Sequence, residues 1–399
     1  MPLPEAITSH QPPQLTAQDC APLFKPLTVG KLDLRSRLVM SAMTRLFAKE
    51  GALPPEAAEY YARRARHGVG LIITEATTVD HEVAHYTGTE PYMFGEGPLE
   101  SWRRVVERVH EAGGAIFPQL WHTGLDRQWR TTPNPEADSI SAMAISSRNL
   151  FPAGPDGKID TGGRKARAAT EEDLADVIAA FGRSAAHAKA VGFDGIAIHG
   201  GHGYLIHQFA WERSNQRTDA WGGSISARGR LGVEIVKEIR RQVGEGFPIA
   251  FRFSQWTGWD YKAHVAADPA ELEVFLGPLA DAGVDLFDAS TRRFWEPAFP
   301  GSDLNLAGWA KKLTGRLGMT VGSVGLGGAL SVKNNKNEKN PTSLEHMPRL
   351  LEMLNRGDFD LVGVGRALLA NPDWAQIIRE GRWSDLSDYD AVEVAQALV

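Results

Sequence analysis

Cysteine is almost absent from this chain, which has 399 residues and a single cysteine, Cys20. One thiol excludes an internal disulfide framework, a zinc site of several thiolates and an iron–sulfur cluster held by the protein. Long apolar runs are also missing, since none reaches the about 18 residues of a membrane span. The N-terminal segment lacks the charged and apolar blocks of a signal peptide. We therefore expect a cytoplasmic protein without a membrane partner.

An excess of basic residues is lacking as well. The formal net charge is −6 and the pI is about 6.1, so the counterion release that drives nucleic-acid binding has no source. Apolar residues make up 43% of the chain and charged residues 23%, close to the averages of globular proteins. The composition predicts a globular protein with a sizeable core and no nucleic-acid partner.

Short apolar runs alternate with longer segments of helical period from about residue 30 onward. This alternation is typical of repeated βα units and a parallel sheet. The eight predicted strands are Leu38–Met43, Gly70–Thr74, Ala115–Gln119, Gly195–His199, Ile249–Phe253, Asp285–Ala289, Thr320–Ser323 and Asp360–Val364. The predicted helices are Pro54–Arg66, Leu99–Glu111, Glu171–Val191, Ser226–Gln242, Pro269–Ala282, Asn305–Gly315 and Ser343–Arg356.

Eight such units predict an α/β protein with a single closed (β/α)8 TIM barrel. The alternative is an open doubly wound sheet, but its usual GxGxxG turn is absent, because the first strand leads into Ser41-Ala42-Met43-Thr44. We predict a flexible N-terminal arm over residues 1–22, the barrel over 23–380 and a C-terminal tail over 381–399. A capping insertion is predicted after strand three, over about 123–169. It is either a lid or an insertion without function. The polar stretch Lys333–Pro341 is predicted to be disordered.

The densest group of polar side chains follows the fourth strand, in the segment GIAIHGGHGYLIHQF. Active sites of (β/α)8 barrels lie at the carboxyl ends of the strands, so His199, His202 and Tyr204 are expected at one rim. Two imidazole N–H groups can bind one carbonyl oxygen and stabilise its growing negative charge, while a phenol supplies a proton. The alternative is a pair of structural histidines or a metal site.

A candidate anion site follows the last two strands, where Ser323 and Gly325 precede Gly365 and Arg366. Backbone N–H groups in such turns and an arginine suit a phosphate, and this fold often binds phosphate there. A solvated surface arginine is the alternative.

Arg252 lies inside an apolar strand, FRFSQW. A buried cation needs an anionic partner. The structural candidates are Glu75 and Asp288, and the functional candidate is a flavin, to which Gln119 can also donate a hydrogen bond.

Several motifs together resemble the old yellow enzyme family of flavin-dependent ene-reductases. The resemblance runs from about Leu23 to Asp373 and is carried by LFKPLTVGKLDLRSRLVMSAMTR, IHGGHGYLIHQF, SNQRTDAWGGS and DLVGVGRALLANPDW. Family members often have proline where this chain has Ala42, and Ala227 and Leu231 depart from the family's GGSxxNRxRF pattern. None of these departures touches a predicted catalytic group.

The resemblance implies noncovalent FMN, NAD(P)H as electron donor and ping-pong reduction of the C=C bond in an enone-type substrate. Hydride would pass to the substrate β-carbon, with His199 and His202 on the carbonyl oxygen and Tyr204 giving a proton to the α-carbon. The residues implied to bind FMN are Ala42, Met43, Thr44, Ala76, Gln119, His199, Arg252, Ser323, Gly325, Gly365 and Arg366. The substrate pocket would also involve Trp121 and Trp295, the latter in the segment Arg292-Arg293-Phe294-Trp295.

Two other classes of function fit the sequence less well. A Schiff-base barrel enzyme needs a lysine at a strand end, and a metal-dependent barrel enzyme often has paired histidines on its first strand. The eight predicted strand ends have no lysine, and the first strand reads LVMSAM. A non-catalytic flavin-binding protein is the third alternative, against which Tyr204 beside two histidines argues.

Overall fold

Eight parallel strands close into a barrel in the computed structural model, which describes residues 15–128, 131–146, 165–328 and 339–398. The barrel strands, labelled β1 to β8, are Leu38–Met40, Leu71–Thr78, Ala115–Trp121, Ile196–His199, Ile249–Phe253, Leu286–Ser290, Leu317–Val321 and Leu361–Val364. Neighbours pair in chain order, and β8 pairs with β1, so the sheet has no open edge. The predicted (β/α)8 fold is confirmed, and the open sheet is excluded.

The predicted helices form with small shifts at their ends. In chain order, helices α1 to α11 are Glu56–Arg66, Glu96–Glu111, Glu171–Val191, Leu205–Ala210, Ile225–Val243, Pro269–Ala282, Leu306–Thr314, Met347–Arg356, Arg366–Ala370, Trp374–Glu380 and Ala391–Val394. Thr170 and Asp173 form a reciprocal capping box at the start of α3. The Asp268 carboxylate accepts from the N–H of Glu271 at 2.9 Å, with Pro269 at the first position of α6. Such caps satisfy N–H groups that have no partner within the helix.

Two apolar layers hold the barrel. The inner one contains Val39, Leu71 and Phe117, and two residues of a short hairpin, Val29 and Leu34, pack into it. The outer layer fills the space between strands and helices. Each fully buried side chain of this kind contributes about 1.5–3 kcal/mol. Because the hairpin precedes β1 and packs on the inner layer, a ligand is expected at the opposite, carboxyl end of the strands.

The predicted insertion after β3 contains a small sheet. Its strands are Ser139–Ser141, Ile145–Ser146 and Lys165–Ala168, while residues 147–164 lie outside the described residues. Ile145 and Ala166 pack with Trp211 and Ala263, which belong to the segments after β4 and β5. The sheet therefore lies at the carboxyl end of the barrel, where a lid would have to lie.

Both ends of the described chain pack onto the barrel. In the predicted N-terminal arm, residues 1–14 lie outside the described range, but Cys20 is fully buried. Of the stretch predicted to be disordered, residues 333–338 lie outside as well, and Lys339–Asn340 pairs with Tyr389–Asp390 in the predicted tail. Across the described ranges, the helices include none with the length and apolar character needed to span a bilayer.

Candidate active site

The turn after β4 depends on its glycines. A Cβ at Gly200 would overlap the ring of Phe251 on the neighbouring strand. His202 has a φ of +61° and Gly203 one of +94°, and non-glycine residues rarely adopt this left-handed region. The strain at His202 is offset by two contacts: its N–H donates to the Ser254 hydroxyl at 3.0 Å, and its carbonyl accepts from Gly258 at 3.0 Å. The turn thereby aims the imidazole of His202 at the rim of the barrel.

Two buried side chains from α4 stabilise this turn through hydrogen bonds to its backbone. The amide oxygen of Gln208 accepts from the Leu125 N–H at 3.1 Å and the Ser141 hydroxyl at 2.9 Å. Its amide nitrogen donates to the carbonyl of Gly203 at 2.7 Å. The N–H of Gly203 in turn donates to Nδ1 of His207 at 3.1 Å. Gln208 and His207 of the HQF motif are thus positioning residues, a role that the motif alone does not reveal.

The structure brings the three residues of the predicted catalytic group together. The ring centroid of His199 lies 5.0 Å from that of His202 and 4.9 Å from that of Tyr204, both edge-on. Trp121, at the end of β3, meets Tyr204 edge-on at 4.8 Å. One buried indole therefore fixes the orientation of the phenol beside the two imidazoles.

Both histidines of this group are neutral at physiological pH. Burial, together with the charges on its neighbours, lowers the pKa of His199 well below the ordinary histidine value, and burial with nearby Arg252 does the same for His202. Nδ1 of His199 accepts from the N–H of Gly201 at 3.4 Å, which leaves the proton of the neutral ring on Nε2. Nε2 of His202 lies 2.8 Å from the Ser290 hydroxyl.

Arg252 lies level with these histidines because strand register places it beside His199 on β4 and Asp288 on β6. Its Nε donates to Asp288 at 2.5 Å, and one terminal nitrogen donates to the Ser41 hydroxyl at 2.7 Å. Asp288 is therefore the structural partner. Glu75 instead accepts from the backbone N–H groups of Arg45 and Leu46.

A cavity of about 220 Å³ opens at this end of the barrel. It is lined by residues at the carboxyl ends of β1 and β4 to β8 or in the segments after them: Ser41, Ala42, Met43, His202, Arg252, Trp256, Tyr261, Ser290, Thr291, Arg292, Val321, Gly322, Ser323, Val324, Leu326, Gly363, Gly365 and Arg366. Ser323 and Gly325 have φ values of +55° and +74°. Ser323, Gly365 and Arg366 of the predicted anion site thus share one cavity with Arg252 and His202.

Some of the predicted site residues are not part of this cavity's lining: Thr44, Ala76, Gln119, Trp121, His199, Tyr204 and Gly325. Ala76 and Gln119 are neighbours across β2 and β3 and are buried, whereas Thr44 is exposed. The side-chain nitrogen of Gln119 is buried without a hydrogen-bond partner among the described residues. Such a group costs about 1–3 kcal/mol if it stays unpaired. Gln119 is therefore suited to donate to a ligand acceptor.

Trp295 lies apart from the cavity lining. Its ring stacks on the imidazole of His346 with centroids 3.6 Å apart, and it packs against the outer apolar layer. The cavity wall after β6 is instead formed by Ser290, Thr291 and Arg292. A role for Trp295 in substrate binding stays a prediction.

Sequence reasoning missed Trp256, Tyr261 and Ser290, which also line the cavity. Trp256 stacks on His202 with ring centroids 4.4 Å apart. Aromatic residues in the glycine-containing loop directly after β5, SQWTGWDYK, were the available signal, because loops at this end of the barrel carry the ligand contacts.

Comparison with known proteins gives consistent matches. The model of the NADH:flavin oxidoreductase / NADH oxidase family matches residues 22–300. The chain is 30% identical over 375 residues to 12-oxophytodienoate reductase 7 of Oryza sativa subsp. japonica, covering 92% of this chain and 90% of that protein. It is 31% identical over 374 residues to an NADH oxidase of Thermoanaerobacter brockii, covering 91% of this chain but only 52% of that longer protein. The crystal structure of Old Yellow Enzyme from Pichia sp. AKU4542 is similar, with a TM-score of 0.75, 25% identity and coverage of 94% and 90% of the two chains.

Proposed function

Because this oxidoreductase belongs to the NADH:flavin oxidoreductase / NADH oxidase family, the old yellow enzyme family that its motifs resemble, we propose that it is an FMN-dependent ene-reductase. It takes electrons from NAD(P)H and reduces the C=C bond of α,β-unsaturated carbonyls or similar electron-poor alkenes in a ping-pong cycle. The observation that carries the proposal is the group of His199, His202 and Tyr204, whose rings lie together. His202 lines the same cavity as Arg252 and Arg366.

The residues that line the cavity, together with Gln119, fit noncovalent FMN. Gln119 offers a buried amide nitrogen that lacks a partner among the described residues, and Arg252 offers positive charge already oriented by Asp288 and Ser41. Ser323, Gly325, Gly365 and Arg366 are proposed to hold the phosphate, with Ala42, Met43, Thr44 and Ala76 beside the ring system. When bound, FMN would supply the hydride chemistry that no side chain of this chain can perform.

His199 and His202 are proposed to bind the substrate carbonyl oxygen. A neutral imidazole is a hydrogen-bond donor at one nitrogen only, and Nε2 of His199 carries that proton. Donors of this kind stabilise negative charge that develops on the oxygen. Losing one of them typically costs about 2.7–4 kcal/mol.

Tyr204 is proposed to supply the proton that the substrate α-carbon takes up. Its edge-on contacts with Trp121 and His199 hold the phenol beside the carbonyl-binding pair. A tyrosine phenol is protonated at neutral pH, so it can donate to the substrate α-carbon as a general acid.

A visible absorption spectrum of the purified protein tests the assignment and separates it from its rivals. We expect a yellow chromophore that NADH or NADPH bleaches under anaerobic conditions and that an enone restores. Absence of a flavin even after incubation with FMN would favour a metal-dependent or Schiff-base enzyme. Bleaching without recovery on any enone or related alkene would favour a flavin-binding protein without ene-reductase activity.

A further inference from the structure

The two ring nitrogens of His202 have different surroundings. Nε2 lies 2.8 Å from the hydroxyl of Ser290, the last residue of β6. Nδ1 makes no hydrogen bond to any residue in the described ranges. Because the imidazole lines the cavity, Nδ1 is the nitrogen that a substrate oxygen can reach without displacing a protein contact.

The orientation of this imidazole is fixed on three sides. Trp256 stacks on one face with ring centroids 4.4 Å apart, and His199 meets the ring edge-on at 5.0 Å. The indole N–H of Trp256 donates to the backbone carbonyl of Ser290 at 3.1 Å. Ser290 therefore contacts the imidazole through its hydroxyl and the stacked indole through its carbonyl, so the ring cannot turn over without breaking this arrangement.

The proton of the neutral ring has two possible positions. The pKa of His202 lies well below the ordinary histidine value because the ring is buried and lies near Arg252, so the ring carries a single N–H. If Nε2 held this proton, it would donate to Ser290, and both the hydroxyl proton and the Nδ1 lone pair would lack a protein partner. If the hydroxyl of Ser290 donates to Nε2 instead, the ring proton lies on Nδ1, and only that N–H is left for a ligand.

Burial of the hydroxyl favours the second arrangement. Ser290 is 5% exposed, and its hydroxyl has no other hydrogen-bond partner in the part of the chain that the structure describes. A buried donor that stays unpaired is costly, so the hydroxyl proton is expected to point at Nε2. An N–H at Nδ1 is also what an oxygen with growing negative charge requires, whereas a lone pair there would repel it.

We propose that Ser290 is a positioning residue: its hydroxyl donates to Nε2 of His202 and thereby holds the proton of that ring on Nδ1, facing the substrate oxygen. His199 has the opposite arrangement, since its Nδ1 accepts from the N–H of Gly201 at 3.4 Å. The two imidazoles then donate to one oxygen through different nitrogens, each selected by the hydrogen bond on its other nitrogen. This inference rests on the proposed function, which assigns the carbonyl oxygen to the histidine pair.

The position of the ring proton can be measured directly. Two-bond ¹⁵N–¹H correlation spectra of the FMN-loaded, ¹⁵N-labelled protein show which ring nitrogen of a histidine carries the proton. The signals of His202 are identified by their absence in His202→Gln. We expect the proton of His202 on Nδ1 in the parent. In Ser290→Ala it should move largely to Nε2, the nitrogen that carries the proton in most free neutral histidine.

Phenol affinity, read from the charge-transfer absorbance, measures the consequence for ligand binding. The apparent affinity falls with the fraction of protein that holds the binding-competent tautomer. Ser290→Ala should therefore bind phenol about 2- to 10-fold more weakly, the range of one net hydrogen bond. Ser290→Thr keeps a hydroxyl at the end of the strand and should restore both the tautomer and the affinity.

Ser254→Ala is the matched control, because it removes a hydroxyl from the same site that makes no hydrogen bond to the imidazole. The Ser254 hydroxyl accepts from the backbone N–H of His202 at 3.0 Å and donates to the carbonyl of Trp256 at 2.7 Å. This variant should keep the parental tautomer of His202. Circular dichroism checks that each variant folds.

The outcomes separate this inference from the proposed function. A phenol-binding parent with the proton of His202 on Nε2, or an unchanged tautomer in Ser290→Ala, would overturn the role of Ser290 alone. The same tautomer change in Ser254→Ala would attribute it to the loop and overturn that role as well. Weaker FMN binding in Ser290→Ala with the parental tautomer would assign the hydroxyl to the cofactor, with the same result. A parent that binds FMN but no phenol would contradict the histidine pair, and both the proposed function and this inference would fall.

Discussion

Replacing Tyr204 with phenylalanine removes one hydroxyl and keeps the ring. The ring contacts of this residue are edge-on, at 4.8 Å to Trp121 and 4.9 Å to His199, and a phenylalanine ring can make both. We therefore expect the free energy of unfolding to fall by at most about 1.5 kcal/mol, the net value of one hydrogen bond. The variant should fold and bind FMN.

The catalytic effect should be much larger than the effect on stability. A general acid contributes about 10²- to 10⁴-fold, which corresponds to about 2.7–5.4 kcal/mol of activation free energy. Tyr204→Phe should slow the reduction of an enone by that factor. Reduction of the enzyme by the nicotinamide needs no proton from this phenol and should keep its parental rate. Quinones take up protons on oxygen from water, so their reduction should be unaffected too.

Rapid mixing under anaerobic conditions measures the two half-reactions separately. One experiment mixes the oxidised protein with NADH or NADPH, and the other mixes the reduced protein with an enone or a quinone. Equal slowing of all three reactions would mean that Tyr204 shapes the pocket instead of donating a proton. An unchanged enone rate would remove it from the mechanism.

Three further predictions concern the cofactor, the histidine pair and pH. Arg366→Ala should weaken FMN retention during gel filtration, because it removes a charge-assisted contact to phosphate; unchanged flavin affinity would place that arginine elsewhere. His199→Ala and His202→Ala should each weaken the long-wavelength charge-transfer band that a bound phenol produces over the flavin, and a parental phenol affinity in both would make the pair structural. Burial lowers the pKa of His207 to about 3. Below about pH 6.5 this histidine is therefore protonated in the unfolded chain but stays neutral in the folded chain, so the free energy of unfolding falls as the pH falls. Measured by urea denaturation, the free energy of unfolding of His207→Gln should therefore fall by about 1.4 kcal/mol less than that of the parent between about pH 7.5 and 5.5. An equal fall in both proteins would contradict the lowered pKa.

The architecture could be predicted from the sequence because each strand and each helix has its own characteristic pattern of apolar residues. Nearly continuous apolar runs such as Ile249–Phe253 indicate strands buried on both faces, and caps such as Asp268 mark where helices begin. The order of eight such units then leaves few folds other than a barrel. The same order places every strand end at one rim, so His199, His202 and Tyr204 were predicted to lie together, and their rings do.

Contacts between separate loops could not be predicted in this way. The sequence offered both Glu75 and Asp288 to Arg252, and only the register of β5 against β6 selected Asp288. Likewise, Arg292 and Trp295 stand three positions apart, yet one lines the cavity and the other stacks on His346. The periodic pattern of apolar residues determines the strands, the helices and their order, because this pattern depends only on neighbours along the chain. Which side chain of a loop faces the ligand depends on packing between segments far apart in sequence, and that was decided only by the tertiary structure.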